Sequence, residues 1–290
     1  MSARLCLRIA VFAVFAVVQP TATPAQPVEA LDAKAIYLKT VAAVNALPLP
    51  PYVEFTSQND SYVQNAAVQD QLRIVMRVSD GYAFVELLRN QEGQPTPLAR
   101  AQVVTDGHFP SSIYRLGDFP LADFGLRLGP QTRPGIFEDT GTPEPEPSGA
   151  PRAIASVKVI DIPYALVDLG DDSVNGRATY HLGMTPLRDP GHHVLRQMWV
   201  DKTTFLPLRY VAERFVDATA FKFRYLVTVN TALVAGHLVN IDADGHFDVH
   251  RALFFRYVGE GRWTIAGVAF PRNEPDWMFD PAIASAPVKP

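Results

Sequence analysis

The chain has 290 residues, 48% hydrophobic and 19% charged, too apolar for disorder and long enough for one large domain or two small ones. Its 26 basic and 30 acidic residues leave a formal charge of −4, which argues against a whole-protein electrostatic grip on nucleic acid. A single cysteine excludes a disulfide framework and thiolate-rich metal sites. The 25 prolines argue against long helical bundles, because proline interrupts helix and sheet ladders alike.

Arg4 and Arg8 precede an apolar run from Ile9 to Val18, followed by Gln19-Pro20 and small residues up to Ala25. This is the three-part layout of a secretory signal, and residues 1–25 are read as a leader. The run is ten residues long, whereas a membrane-spanning helix needs about 20. Cys6 lies before that run rather than just after it, so lipid attachment at a processed cysteine does not fit. Loss of the leader would remove two arginines and no acid, leaving a formal charge of −6 and no cysteine. The expected destination is the periplasm or the exterior, with no transmembrane span after the leader.

From Glu29 to Leu47 the stripe Leu31, Ala35, Leu38, Ala42 predicts one amphipathic helix, stopped by Pro48, Pro50 and Pro51. The rest reads mainly as strand. Gln71 to Arg89 predicts a hairpin around Asp80-Gly81 whose paired residue numbers sum to 161. That register sets Val78 opposite Ala83, Met76 opposite Val85 and Ile74 opposite Leu87 on a wholly apolar face. Asp106-Gly107 predicts a second turn, after which Pro110 ends or bulges the returning strand. Residues 129–151 are rich in proline, carry Glu144 and Glu146, and read as a loop.

Further strands are expected at Val157–Ile162, Gly176–Gly183, Leu195–Asp201, Leu206–Val216 and Ala220–Val229. In the last, Phe221, Phe223, Tyr225 and Val227 alternate with Lys222 and Arg224. Asp244-Gly245 and Gly259-Glu260-Gly261 predict two more hairpin turns, which brings the expected total to about ten strands. Trp277 and Phe279 are expected to dock on the sheet, and residues 283–290 to form a loose tail. The whole is read as one domain over residues 28–282, because one helix covers a continuous sheet better than two small ones.

The stretch Ala178-Thr179-Tyr180-His181-Leu182, then Leu195, then Met198-Trp199-Val200-Asp201-Lys202-Thr203-Thr204 and Leu206-Pro207 resembles the lipoprotein carriers LolA and LolB and their lipid-binding relatives. The resemblance implies an unclosed β-barrel, with helices lidding the concave side of a curved antiparallel sheet over an apolar cavity for acyl chains. It implies carriage rather than chemistry, and no binding residue is carried over from it. Read alone, Trp199 is a buried aromatic and Asp201 a turn carboxylate that caps backbone amides.

Few residues suggest chemistry. His246, Asp248 and His250 share one face of a strand, but the outer two lie about 13 Å apart at 3.3 Å per residue, so a solvated outer face explains them better than a metal does. Asp242-Ala243-Asp244-Gly245 lacks the closing glutamate of a calcium loop. Adjacent His192 and His193 point opposite ways on extended backbone. No nucleophile elbow, zinc-binding helix motif or phosphate loop is present. The expectation is a mainly β protein, a curved antiparallel sheet or unclosed barrel with the N-terminal helix on its concave face. It binds or carries a lipid, a lipoprotein acyl chain or another apolar ligand, without a cofactor or metal. The expected lining is Ile74, Met76, Val85, Leu87, Phe221, Phe223 and Tyr225. An envelope protein acting through protein contacts, or an exported hydrolase built around His246 or His181, are the other classes.

Overall fold

A computed structural model describes residues 31–63, 66–91, 94–105, 110–116, 162–191, 193–218, 221–251 and 255–280. The expected leader, the Asp106-Gly107 turn, the 129–151 loop, the strand at 157–161, His192 and the tail at 283–290 lie outside these residues.

Helix α1 spans Ala33–Asn45 and starts where the Asp32 carboxylate accepts the Ala35 amide at 2.6 Å. Its buried face is Ile36, Tyr37, Thr40, Val41 and Val44, not the expected stripe, and Ala42 is exposed. The helix is as expected but the buried face is the opposite one, about half a turn away at 3.6 residues per turn, because isoleucine, tyrosine and valine bury more apolar area than the alanines of the expected stripe. Tyr37 meets the ring of Tyr164 edge-on at 6.4 Å.

Twelve strands are described: β1 Tyr52–Val63, β2 Ala66–Arg77, β3 Tyr82–Gln91, β4 Gln94–Thr105, β5 Pro110–Leu116, β6 Tyr164–Val174, β7 Arg177–Pro186, β8 Leu195–Asp201, β9 Pro207–Ala218, β10 Phe221–Val234, β11 His237–Arg251 and β12 Phe255–Ala269. They form one antiparallel sheet in the order β5-β4-β3-β2-β1-β12-β11-β10-β9-β8-β7-β6. Sequential hairpins build both halves, and pairing of the first strand with the last joins them. Among the described residues β5 and β6 are the two edges and do not pair with each other, so the described sheet does not close on itself. Laid flat at about 4.8 Å per strand, the sheet would be roughly 53 Å wide, whereas a 13-residue helix is about 20 Å long. The right-handed twist of the strands coils such a sheet around its apolar face.

The β2–β3 hairpin pairs Arg77 with Tyr82, Met76 with Ala83, Ile74 with Val85 and Leu72 with Leu87, so paired numbers sum to 159 rather than 161. A slip of two keeps every side chain on its expected face. The turn is longer than expected because Val78 leaves the ladder: its amide donates to the Pro51 carbonyl at 3.0 Å and its side chain is buried. Gly81 then supplies the positive φ of 70°, and its amide donates to the Arg77 carbonyl at 3.0 Å. The Arg77 guanidinium donates to the Asp80 carboxylate across the turn. Pro110 opens edge strand β5 beside an irregularity at Val104/Thr105, where a missing amide is tolerated.

Asp244-Gly245 and Gly259-Glu260-Gly261 are not turns, because they lie inside β11 and β12. The β10–β11 turn is Ala235-Gly236, with φ of 48° and 85°, the two positive angles that a two-residue hairpin needs. The strand glycines serve packing instead. A Cβ at Gly245 would stand 2.7 Å from the Trp263 ring and 3.0 Å from that of Tyr225, so glycine lets large rings lie against the strand.

On the other face of β2 and β3, Val75 and Phe84 pack under Met278 and Phe279 of the C-terminal segment. Trp277 meets Phe84 edge-on at 5.2 Å, Arg100 lies 5.5 Å from the Trp277 ring, and Gln102 donates to the Met278 carbonyl. The expected docking of Trp277 and Phe279 is found here.

Candidate functional site

The inner face of the sheet is the candidate site. Ile74, Met76 and Val85 on β2 and β3 are completely buried and Leu87 nearly so, within a cluster that includes Val53, Phe55 and Leu72. Across the sheet, Tyr225 on β10 is buried and Phe223 half-buried, their rings 6.1 Å apart. Phe221 opens β10, and its side chain lies outside the described set. β1, β12 and β11 separate the two groups, a distance of about 19 Å at 4.8 Å per strand from β2 to β10. They share a face but form two patches.

The span between them is filled by residues that the sequence reading did not single out. Phe55, Ser57 and Asn59 of β1, Ile265 and Trp263 of β12, and Ala243 and Phe247 of β11 follow one another through the register. Trp263 and Phe247 are among the largest fully buried side chains. The signal that could have found them is a pair of glycines inside strands, each placed against an aromatic ring. Beyond β10 the face continues through Tyr210, Met198 and Leu182 to Tyr164, where α1 lies. The Tyr210 hydroxyl and the Asn240 amide hydrogen-bond each other at 3.2 Å. Burial pushes the phenols of Tyr210 and Tyr225 well above their usual range.

Outside the patch covered by Met278 and Phe279, the outer face carries most of the described ion pairs. Glu54, Arg73, Glu86 and Arg100 form a ladder across β1 to β4 with contacts of 2.6, 2.9 and 2.8 Å. Asp201 is the turn carboxylate expected of it: it accepts the amides of Thr203 and Thr204 at 3.1 and 2.7 Å and binds Arg177 at 2.9 Å. Burial opposes its ionisation, yet the Thr204 bonds and the Arg177 guanidinium hold its carboxyl below the usual range. Trp199 differs from expectation. It lies half-exposed on the outer face, stacked on His181 at 4.1 Å, and its indole N–H donates to Asp172 at 2.8 Å. Its register partners His181 and Arg209 flank the ring and hold it there.

His246, Asp248 and His250 also lie on the outer face. Asp248 is engaged by Arg256 at 2.8 Å and by His250 at 3.1 Å, and the Arg256 hydrogen bonds hold its carboxyl below the usual range. His246 stands 4.0 Å from Glu260 instead, so the three do not converge. Among the described residues no group of three His, Cys, Asp or Glu side chains is placed to hold a metal, and no helix is long and apolar enough to cross a membrane.

No protein-family model and no curated protein matches the chain. Solved structures similar to it include a LolA superfamily protein from Nitrosomonas europaea, 14% identical with a TM-score of 0.39, covering 87% of this chain and 98% of that one. A DUF1329 family protein from Desulfovibrio piger is 12% identical with a TM-score of 0.38, covering 86% and 97%. A domain named as an outer membrane lipoprotein-sorting protein from Vibrio parahaemolyticus is 12% identical with a TM-score of 0.42, covering 87% and 97%.

Proposed function

We propose that this is an exported binding or carrier protein for a lipid or another acyl-bearing ligand, held on the inner face of the sheet. In this reading residues 1–25 are a leader, residues 28–282 form one domain, and Ile74, Met76, Val85, Leu87, Phe221, Phe223 and Tyr225 contribute to the lining. The observation that carries it is one mainly apolar, aromatic-rich face running from β3 to β7, interrupted by Asn59, Tyr210, Asn240 and Arg214, while the ion pairs described above lie on the opposite face. About 300 Å² of acyl surface buried there would contribute about 7 kcal/mol at 25 cal/mol per Å², before the cost of immobilising the guest. No specific polar contact is needed, which is why such a site leaves no motif.

Ile74, Met76 and Val85 are buried by the protein's own atoms, so a guest reaches them by displacing the side chains that cover them. Met76, Met184 and Met198 lie on this face, and flexible thioethers repack at low cost. Half-buried Phe223 and Val249 mark a place where the face meets solvent. Denaturing mass spectrometry of protein purified from its native envelope tests the reading. Stoichiometric acyl-chain lipid is the expected result. Lipid-free protein that also fails to take up a fatty acid after delipidation would refute it.

A further inference from the structure

On the outer face, β1, β12, β11 and β10 enclose a groove of about 480 Å³. Its floor is set by the register: Arg262 faces Asp244 and Glu260 faces His246 across β12 and β11. The four side chains form a rectangle about one strand spacing (4.8 Å) by two residues (about 6.8 Å), with Arg262 and His246 on one diagonal and the two carboxylates on the other. The walls are Tyr62 with Asp60 on one side and Leu226 with Thr228 on the other. Tyr62 and Leu226 are exposed apolar groups at 64% and 37%.

The groove differs from the rest of the outer face in how its charges are used. Elsewhere on that face arginine and carboxylate meet at hydrogen-bonding distance, as in Arg73–Glu54 at 2.6 Å, Arg100–Glu86 at 2.8 Å, Arg196–Glu213 at 2.9 Å and Arg256–Asp248 at 2.8 Å. On the groove floor the two pairs stand apart, Arg262 from Asp244 by 3.8 Å and His246 from Glu260 by 4.0 Å, beyond hydrogen-bond length. The guanidinium keeps its N–H donors and the carboxylates keep their acceptor oxygens, with side chains 66–80% exposed at Arg262, Asp244 and Glu260. Planar guanidinium donors match an oxyanion, and acceptor carboxylates match an N–H-bearing cation.

We propose that this groove binds a small zwitterion that carries a primary ammonium and an oxyanion about one strand spacing apart, of which phosphoethanolamine is the model. The oxyanion takes Arg262, the ammonium takes Glu260 and Asp244, and the carbon chain lies between Tyr62 and Leu226. A quaternary ammonium has no N–H to give these carboxylates and is disfavoured. The source is either a soluble zwitterion or the headgroup of an aminophospholipid. The site does not depend on the inner face holding an acyl chain, so the two readings fail separately.

The test is an amide NMR titration of the full chain with O-phosphoethanolamine, with inorganic phosphate and with ethanolamine. Expected are saturable shifts confined to the groove, affinity at least tenfold weaker in Arg262→Gln and in Glu260→Gln, and no comparable saturation with either half-molecule. The exposure of both side chains leaves the fold intact, which is checked by unchanged spectra elsewhere. Stronger sedimentation with phosphatidylethanolamine vesicles than with phosphatidylcholine vesicles identifies the lipid headgroup as the source. Equal sedimentation, with O-phosphoethanolamine still saturating, identifies the soluble zwitterion. Absence of saturation by O-phosphoethanolamine, equal binding by the two variants, or full reproduction by phosphate alone overturns the proposal.

Discussion

Substituting Gly259 by alanine separates the two explanations for a glycine inside this sheet. Gly259 pairs with Phe247 on one side and Val63 on the other, and its φ is not among the positive ones. If backbone freedom were all that mattered, alanine would be neutral or would stabilise by about 0.4–1 kcal/mol through the unfolded chain. The structure opposes this, because the new Cβ would stand 2.1 Å from Cζ of Phe247 and 2.8 Å from the Tyr62 carbonyl oxygen. Phe247 is fully buried and the carbonyl belongs to a paired strand, so neither yields freely. Overpacking costs about 1–3 kcal/mol and loss of a buried phenylalanine about 3–5, which places the expected destabilisation at about 2–4 kcal/mol. Urea denaturation followed by circular dichroism measures it. Adding Phe247→Leu to Gly259→Ala should recover part of the loss but not all, since the carbonyl contact remains. Gly236→Ala is the control: its φ is 85° and nothing lies near its Cβ, so only the left-handed backbone opposes it, at about 1–2 kcal/mol. A Gly259→Ala protein as stable as the parent, or less affected than Gly236→Ala, would refute the packing argument.

Asp201→Asn should cost about 1–2 kcal/mol at pH 7 through the lost charge-assisted bonds. Because the folded carboxyl titrates below its unfolded value near 3.9, its contribution is present above about pH 4 and disappears as pH falls through the folded pKa. Urea melts at pH 7 and pH 2.5 should therefore show the difference between parent and variant shrinking at the lower pH, and a constant difference would contradict this. Trp277→Ala should remove about 1–2 kcal/mol of ring and cation contacts and release the C-terminal segment. Trypsin cleavage after Arg272, followed by mass, should then be faster than in the parent.

What the sequence made legible follows from how local each feature is. The inner-face positions Ile74, Met76, Val85 and Leu87 could be read because strict alternation marks a half-buried strand, and a two-residue register error leaves faces unchanged. Strand β8 was read at its observed bounds from Leu195 to Asp201. β1 escaped notice because its inner positions turn polar at Ser57 and Asn59, both buried among residues distant in sequence. β6 escaped because it is an edge strand exposed from Val167 to Ser173, where no burial imposes a pattern. Asp244-Gly245 and Gly259-Glu260-Gly261 have turn composition, and only the positions of Trp263, Tyr225 and Phe247 show why glycine is needed in extended strands. The outer groove was beyond reach for the same reason, since it depends on the register among four strands, two of them at opposite ends of the chain.

The inner-face account is tested most directly by methyl NMR with a spin-labelled fatty acid. Paramagnetic broadening is expected at Ile74, Val85 and Leu87 and at the half-buried Val249, with the exposed outer-face methyls of Val167, Leu226 and Val258 unaffected. Broadening confined to those outer residues, or none at saturating fatty acid, would contradict it.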